Sequence, residues 1–492
     1  MAMIKVSGLT FAYPGSYDAV FENVSFQIDT DWKLGFIGRN GRGKTTFLRL
    51  LMGGLAYSGT IAAPVPFDYF PYPIKDETAR TRDVLHAICP HAAAWELERE
   101  LGYLQVEPSV LTQPVATLSN GERTKVLLAA LFLNDGRFLL IDEPTNHLDM
   151  AARELVAAYL RRKKGFILVS HDRAVLDGCV DHILCINRTD IEVQSGNFSS
   201  WMENFTRRQD FEEAQNERLK KDAARLREAS QRAAAWSKKA ESAKKGVTSA
   251  GLKPDRGYAG HKAAKVMQRA KSIEARQAQA AAQKAALLKN AEAAPALKLS
   301  PLPFHSRRLA ALCDVRVQYG ARAICEPVSF TVQQGDRIAL QGKNGSGKSS
   351  LLKLLLGEAV PHTGTLTTAS GLTISYVPQD TSALRGPLSG YARARGVDES
   401  LFKAILRKMD FARVQFEKNM EDFSDGQKKK VLLAASLCER AHLYLWDEPL
   451  NFIDVYARMQ IEALLQSFSP TMLFVEHDRV FQQSIATKTI LL

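Results

Sequence analysis

The chain has 492 residues, 46% hydrophobic, and a formal net charge of +12, enough for about three ordinary domains. No run of about 18 apolar residues occurs, which argues against a membrane-spanning helix; the most apolar stretch, "VLLAALFLNDGRFLLID", is broken by Asn134, Asp135, Gly136 and Arg137. The N-terminal "MAMIKVSGLTFAYPG" has no basic region before an apolar core, so no signal peptide is expected, and Cys89, Cys179, Cys185, Cys313, Cys325 and Cys438 form no CxxC pair or metal-ligand group, the pattern of reduced thiols in a cytoplasmic protein.

In chain order, the apolar strand "KLGFIG" leads into "GRNGRGKTT" at Gly38. This fits GxxxxGK[ST] in the strand-to-helix context that a phosphate-binding loop requires. The glycines let backbone N–H groups point inward around a phosphate, and the N-terminus of the next helix, "KTTFLRLLMG", adds partial positive charge. The expected ATP-contacting set is Gly38, Asn40, Gly41, Gly43, Lys44, Thr45 and Thr46, with Lys44 on the β/γ-phosphates and Thr45 on Mg²⁺. Arg42 departs from the small residue commoner at its position. "LSNGER" and a helical "ERTKVLLAALF" follow, then the strand "FLLID". Asp142 ends that strand and is suited to hold Mg²⁺ through water. Glu143 is suited to polarise the attacking water as general base. The strand "FILVS" leads to His171, expected to contact the γ-phosphate and position that water. Strands alternating with helices argue a parallel sheet flanked by helices, an α/β fold.

Next comes a charged segment. Residues 206–245 contain neither Pro nor Gly and read as one helix of about 60 Å. A second helix is expected over about 260–290, roughly 45 Å long. Leu219, Leu226, Ala233 and Ala240 recur every seven residues, as do Val266, Ile273, Ala280 and Leu287, which predicts an antiparallel helical hairpin with a thin, Ala-rich seam. Between the helices, "KKGVTSAGLKPDRGYAGHK" breaks into Gly, Pro, Leu and Tyr. Residues 206–290 hold 21 Lys+Arg and 9 Asp+Glu, so all of the excess charge lies here. A solvated helical face is the plain reading; a basic stripe confined to one element more often meets a polyanion such as RNA. Pro295, Pro301 and Pro303 mark the exit.

After this segment the chain repeats itself. "VSF", "GKNGSGKSS", "FSDGQK", "YLWDEPLNFID" and "VEHDR" follow their first-half counterparts at an offset of 304 to 306 residues. A duplicated domain is the reading. The second ATP-contacting set is Gly342, Asn344, Gly345, Gly347, Lys348, Ser349 and Ser350, with Ser349 and Asp447 as Mg²⁺ ligands and Glu448 and His477 as the catalytic pair. The expected division is 1–199 and 306–492 for the two ATPase domains and 200–305 for the linker, with a tip loop at about 246–258.

The ordered set of phosphate loop, "LSNGE/FSDGQ", "DEP" and "HD" resembles the nucleotide-binding domains of ABC ATPases over roughly 380 of the 492 residues. The resemblance implies head-to-tail closure over two ATP molecules, with Ser424 and Gly426 facing the first phosphate loop and Ser119 and Gly121 the second. It also makes Tyr13 and Tyr319 adenine-stacking residues and Gln379 the Q-loop glutamine and a Mg²⁺ ligand, a position that Tyr72 takes in the first copy.

Two such domains joined by about 105 residues of basic helix resemble the ABC-F translation factors. "RGYAGHKAAKVMQRAKSIEAR", "GRNGRGKTT" and "DEPLNFID" are similar to the antibiotic-resistance branch of Lsa/Vga type. That resemblance implies a cytoplasmic monomer with no membrane or transporter subunit as partner. It would enter the E site of the 70S ribosome, contact P-site tRNA and reach 23S rRNA of the 50S subunit near the peptidyl-transferase centre. Lincosamides, pleuromutilins and streptogramin A would be displaced there. The tip set is Lys244, Lys245, Val247, Thr248, Leu252, Lys253, Arg256, Tyr258, His261 and Lys262. The same architecture serves a housekeeping ABC-F factor acting on stalled ribosomes. A DNA-repair ATPase and a transporter subunit are the remaining readings; the first expects long insertions within each ATPase domain, and the second leaves the basic linker without a role.

Overall fold

The apolar runs of the first half build a parallel sheet covered on both faces. In the computed structural model, which describes residues 2–14, 19–146, 148–187, 191–245, 297–319 and 322–492 with isolated positions between 265 and 279, the chain opens on β1 (Met3–Phe11), β2 (Phe21–Asp29) and β3 (Lys33–Gly38). There follow α1 (Lys44–Leu51), β4 (Ser58–Ala62), β5 (Phe67–Phe70), α2 (Thr81–Ile88), α3 (Ala94–Tyr103) and α4 (Asn120–Leu131). The half closes with β6 (Phe138–Asp142), α5 (Met150–Arg161), β7 (Phe166–Val169), α6 (Arg173–Cys179), β8 (His182–Ile186) and β9 (Ile191–Ser195). The main sheet has the order β5-β6-β7-β3-β8-β9, with β9 antiparallel. Phe138–Ile141 and Phe166–Val169 are wholly buried, as continuous apolar strands in a doubly covered sheet must be. Because β3 and β6 are central, their C-terminal ends carry Gly38 and Asp142 to the same edge, where ligands bind in such sheets. An antiparallel layer, β2-β1-β4, packs beside it.

The second half repeats the plan with β10 (Arg308–Tyr319), β11 (Arg322–Ala323), β12 (Val328–Gln333), β13 (Arg337–Gln341), α8 (Lys348–Leu356), β14 (His362–Thr368) and β15 (Ile374–Val377). Helices α9 (Leu388–Ala394), α10 (Glu399–Lys408) and α11 (Asp425–Cys438) precede β16 (Leu443–Asp447), α12 (Val455–Phe468), β17 (Met472–Val475), α13 (Arg479–Ile485) and β18 (Lys488–Leu491). Its sheet order is β15-β16-β17-β13-β18. Trp446 is fully buried and donates from Nε1 to Ser436 Oγ at 3.0 Å, so its polar atom is satisfied in the core. The two halves form one unit, Met1–Trp201 with Ala294–Leu492, and Met202–Ala293 forms a second. The α/β reading holds: these are two tandem P-loop domains.

The charged helix α7 (Phe198–Lys245) is 48 residues long, about 72 Å. It begins eight residues before position 206, where the sequence reading starts the helix. Asn197 Oδ1 accepts from the Ser200 N–H at 3.1 Å, a cap, and Phe198 and Trp201 are buried. Along its exposed surface Glu203–Arg207 and Glu228–Arg232 pair at one-turn spacing. Lys244 and Lys245 end this helix. Val247, Thr248, Leu252, Lys253, Arg256, Tyr258, His261 and Lys262, and with them the tip loop, lie outside the described residues, as does the heptad run of the second helix.

Candidate ATP sites

Each phosphate loop is a left-handed turn that needs glycine. Gly41 and Gly43 have φ of 84° and 93°, and Gly345 and Gly347 have 80° and 90°. A Cβ on Gly43 would fall 2.5 Å from Val20 Cγ1. Lys44 Nζ donates to the carbonyls of Gly38 (2.7 Å) and Arg39 (3.3 Å), and Lys348 Nζ to those of Gly342 (2.9 Å) and Lys343 (2.8 Å). Burial pulls both ammonium groups below their usual range, against the nearby carboxylates. Tyr13 and Tyr319 reach the same helix turns: Tyr13 OH lies 2.8 Å from Thr46 Oγ1 and Tyr319 OH 3.0 Å from Ser350 Oγ.

Behind each loop stand the acidic residues. Thr45 Oγ1 donates to Asp142 Oδ2 at 2.9 Å, and Tyr69 OH donates to the same oxygen at 3.0 Å. Burial pushes Asp447 up to about 6, with the Ser349 hydroxyl opposing. Asp447 Oδ1 is buried without a hydrogen-bond partner, an atom that a cation beside Ser349 would satisfy. The donor set of hydroxyls and carboxylates therefore fits Mg²⁺. Glu143 and Glu448 follow with φ of 50° and 47°, both in the left-handed region. A non-glycine residue held there in both copies is local strain of the kind that clusters at functional sites. His171 Nε2 lies 3.2 Å from Glu143 Oε1, and His477 Nε2 lies 3.4 Å from Glu448 Oε1. Burial pushes Glu143 up to about 8, helped by Asp142. Burial also pushes Glu448 up, but His477, Gln379 and Lys429 outweigh it and hold it below its usual range. His171 is held well below its range by burial and Lys44, so its ring is neutral.

The "LSNGE" and "FSDGQ" stretches start α4 and α11 as capping boxes. Ser119 Oγ accepts from Glu122 N (3.2 Å) while Glu122 Oε2 accepts from Ser119 N (2.9 Å); Ser424 and Gln427 repeat this at 3.4 and 3.1 Å. The box fixes a helix N-terminus, with its dipole and free N–H groups, at Gly121 and Gly426.

The halves meet so that each phosphate loop faces the other half's box. At the second loop a cavity of about 960 Å³ has Ser119, Gly121, Glu122 and Asp149 on one wall and Tyr319, Lys348, Ser349, Gln379, Glu448 and His477 on the other. At the first loop the walls touch. Asn40 Nδ2 donates to Phe452 O at 2.7 Å and Asn40 N to Asp454 Oδ2 at 3.3 Å. A Cβ on Gly426 would meet Phe452 O at 2.6 Å and Asn40 Nδ2 at 3.0 Å, whereas one on Gly121 would meet nothing nearer than 3.5 Å. Tyr72 is not brought to this site; it lines a separate crevice with Asp68, His91 and Arg99.

Sequence reasoning missed Tyr69, and it missed Asn451, whose Nδ2 donates to Glu448 Oε2 at 2.5 Å. The recurrence of Asn in "PTNHLD" and "PLNFID" was the available signal for the second. Tyr69 had a fainter one, since a Tyr occupies the same place in β5 and β15.

The chain belongs to the ABC transporter family, whose signature matches residues 21–146 and 325–451. It is an ABC-type ATPase with an ATP-binding domain in each half. It is 27% identical to the ribosome protection protein VmlR of Bacillus subtilis over 98% of this chain and 85% of that one. It is 28% identical to the ATP-binding protein Uup of Caulobacter vibrioides (96% and 74%) and 25% identical to the energy-dependent translational throttle protein EttA of Escherichia coli (95% and 88%). These relatives and the two-domain architecture support the ABC-F branch. Among solved structures it resembles the archaeal ribosome recycling factor aABCE1 in complex with the stalk protein aP1, with a TM-score of 0.63, 19% identity and coverage of 98% and 87%. Among the described residues no helix is long and apolar enough to cross a membrane.

Proposed function

We propose that the chain is a cytoplasmic, monomeric ABC-F factor that binds the 70S ribosome at the E site when its two ATP sites close. Residues 244–262 would contact P-site tRNA and 23S rRNA near the peptidyl-transferase centre and relieve lincosamides, pleuromutilins and streptogramin A. The observation that carries the ribosome reading is the placement of charge: the whole excess of +12 sits in 206–290, outside both ATPase domains, where it has no part in nucleotide binding and suits RNA. The name of VmlR, a ribosome protection protein, supports drug relief. The name of EttA, a translational throttle protein, favours a second reading in which the protein acts on stalled ribosomes without drug protection.

At each site the phosphates of ATP would lie in the loop of one half and against the capping-box serine and glycine of the other: Lys44, Thr45 and Thr46 with Ser424 and Gly426, and Lys348, Ser349 and Ser350 with Ser119 and Gly121. Thr45 and Asp142, and Ser349, Asp447 and Gln379, would hold Mg²⁺, which supplies charge neutralisation at the β/γ-phosphates. Glu143 and Glu448 would accept the proton of the attacking water, with His171 and His477 orienting it. Glu143→Gln with Glu448→Gln is expected to keep ATP bound and uncleaved and to hold the protein on ribosomes through a sucrose gradient; release as fast as wild type would refute these roles. Expression in a drug-sensitive bacterium separates the two readings: a rise in inhibitory concentration for any of the three drug classes selects drug relief, and none selects the second reading.

A further inference from the structure

The two sites differ at a contact that none of the roles above uses. The first phosphate loop carries Arg39 and Arg42 where the second has Lys343 and Ser346. Arg42 Nη2 donates to Asp410 Oδ2 at 3.4 Å, and Arg39 Nη1 lies 3.9 Å from the same oxygen. The Arg39 guanidinium also sits 5.3 Å from the Tyr456 ring centroid. Asp410 and Tyr456 are on the opposite half. Asp410 directly follows the C-cap of α10 with φ of 60°, and its counterpart after α3 is Gln105, with φ of 50°. Gln105 lines the cavity at the second site, and Ser346 Oγ is buried without a hydrogen-bond partner. The first seam thus carries two guanidiniums on one carboxylate, beside the Asn40 contacts to Phe452 and Asp454; the second has neutral Ser346 and Gln105 at the places of Arg42 and Asp410, and Lys343 at that of Arg39.

We propose that Arg42, assisted by Arg39, is a positioning residue for the first ATP site. By holding Asp410 it keeps α10 and the start of α11, with Ser424 and Gly426, seated on the first phosphate loop. Nucleotide therefore leaves the first site more slowly than the second, and the second is the site of rapid exchange. The side chains of Arg42 and Asp410 are 28% and 30% exposed, so the pair is partly screened, and its loss is expected to change a release rate by about three- to fivefold. The inference rests on the two composite sites proposed above.

The test uses the full chain with Glu143→Gln and Glu448→Gln, loaded with a fluorescent mant-ATP and Mg²⁺ and chased with excess ATP in a stopped-flow instrument. Two nucleotides per chain and two release phases are expected, and Lys348→Ala should delete the faster phase. Arg42→Ser and Asp410→Asn should each speed the slower phase by about three- to fivefold and leave the faster one unchanged. Arg42→Asp combined with Asp410→Arg should return it towards the parent rate, which a merely structural loss would not do. Two bound nucleotides with a slow phase indifferent to Asp410→Asn would overturn the latch alone. Fewer than two per chain would overturn the composite-site reading and the latch with it.

Discussion

At the scale of single residues, Ser119 and Ser424 each cap a helix through a reciprocal box. In the composite sites proposed above each would also present its hydroxyl to the opposite phosphate loop, and mutation can separate the two duties. Glu122→Ala removes the box partner of Ser119 but leaves its hydroxyl. It is expected to cost about 1 kcal/mol of stability, seen as a lower melting temperature, with ATP affinity nearly unchanged. Ser119→Ala should cost as much stability and weaken ATP binding at the second site as well; equal ATP affinity in the two variants would reduce the serine to a cap. The sequence displayed these residues because each motif is local: a phosphate loop, a capping box or a "DEP" strand end needs only neighbours along the chain. It did not display Tyr69 on Asp142, or Asp410 on Arg42, because those contacts join positions 73 and 368 residues apart.

At the scale of elements, the N-termini of α6 and α13 are counterparts with different surroundings. Arg173, 9% exposed, pairs with Glu462 of α12 and lies 3.5 Å from Asp478, which also binds Arg458 at 2.9 Å. Arg479 instead meets Glu154 at 3.0 Å with both side chains more than half exposed. Arg173→Ala takes a buried guanidinium away from partly buried Glu462 and from Asp478, which keeps Arg458, and is expected to cost about 2 kcal/mol. Arg479→Ala should cost less than about 1 kcal/mol. Thermal unfolding of the two variants checks the contrast. Asp478 also sets a pH dependence. Burial pushes its carboxyl up, but Arg458 and Arg173 outweigh it and hold it below the usual range. A depressed carboxylate contributes stability that is full above its unfolded value of about 4 and is lost as pH falls through its folded value. Asp478→Asn keeps the cap on Phe481 N and removes the charge, so its melting-temperature deficit should be large at pH 7 and shrink at pH 3. A deficit of equal size at both would mean that shape, not charge, holds this corner.

At the scale of the whole molecule, the duplication was legible because five motifs recur in order at nearly one offset. The asymmetry of the two seams was not, because Arg42 and Ser346 acquire meaning only when Asp410 and Gln105 are set opposite them. The basic segment raises the opposite problem: its composition speaks clearly, and the RNA contacts proposed for it need a separate test. If the basic residues neutralise RNA phosphates, each displaces counterions, and affinity for 70S ribosomes falls with salt at a slope of about 0.7 to 0.9 per contact. Changing Lys262, Lys265, Arg269, Lys271, Arg276 and Lys284 to Gln in the full chain should then flatten the slope of log affinity against log salt by about four to five if all six touch phosphate. The ATPase rate without ribosomes should not move, since these positions lie outside both matched ATPase segments. A solvated face predicts a different result: exposed charges that touch no phosphate release no counterions, so the slope should change by less than about one. Ribosome co-sedimentation across a salt series therefore decides whether the charge concentrated in 206–290 binds RNA or only keeps a long helix in water.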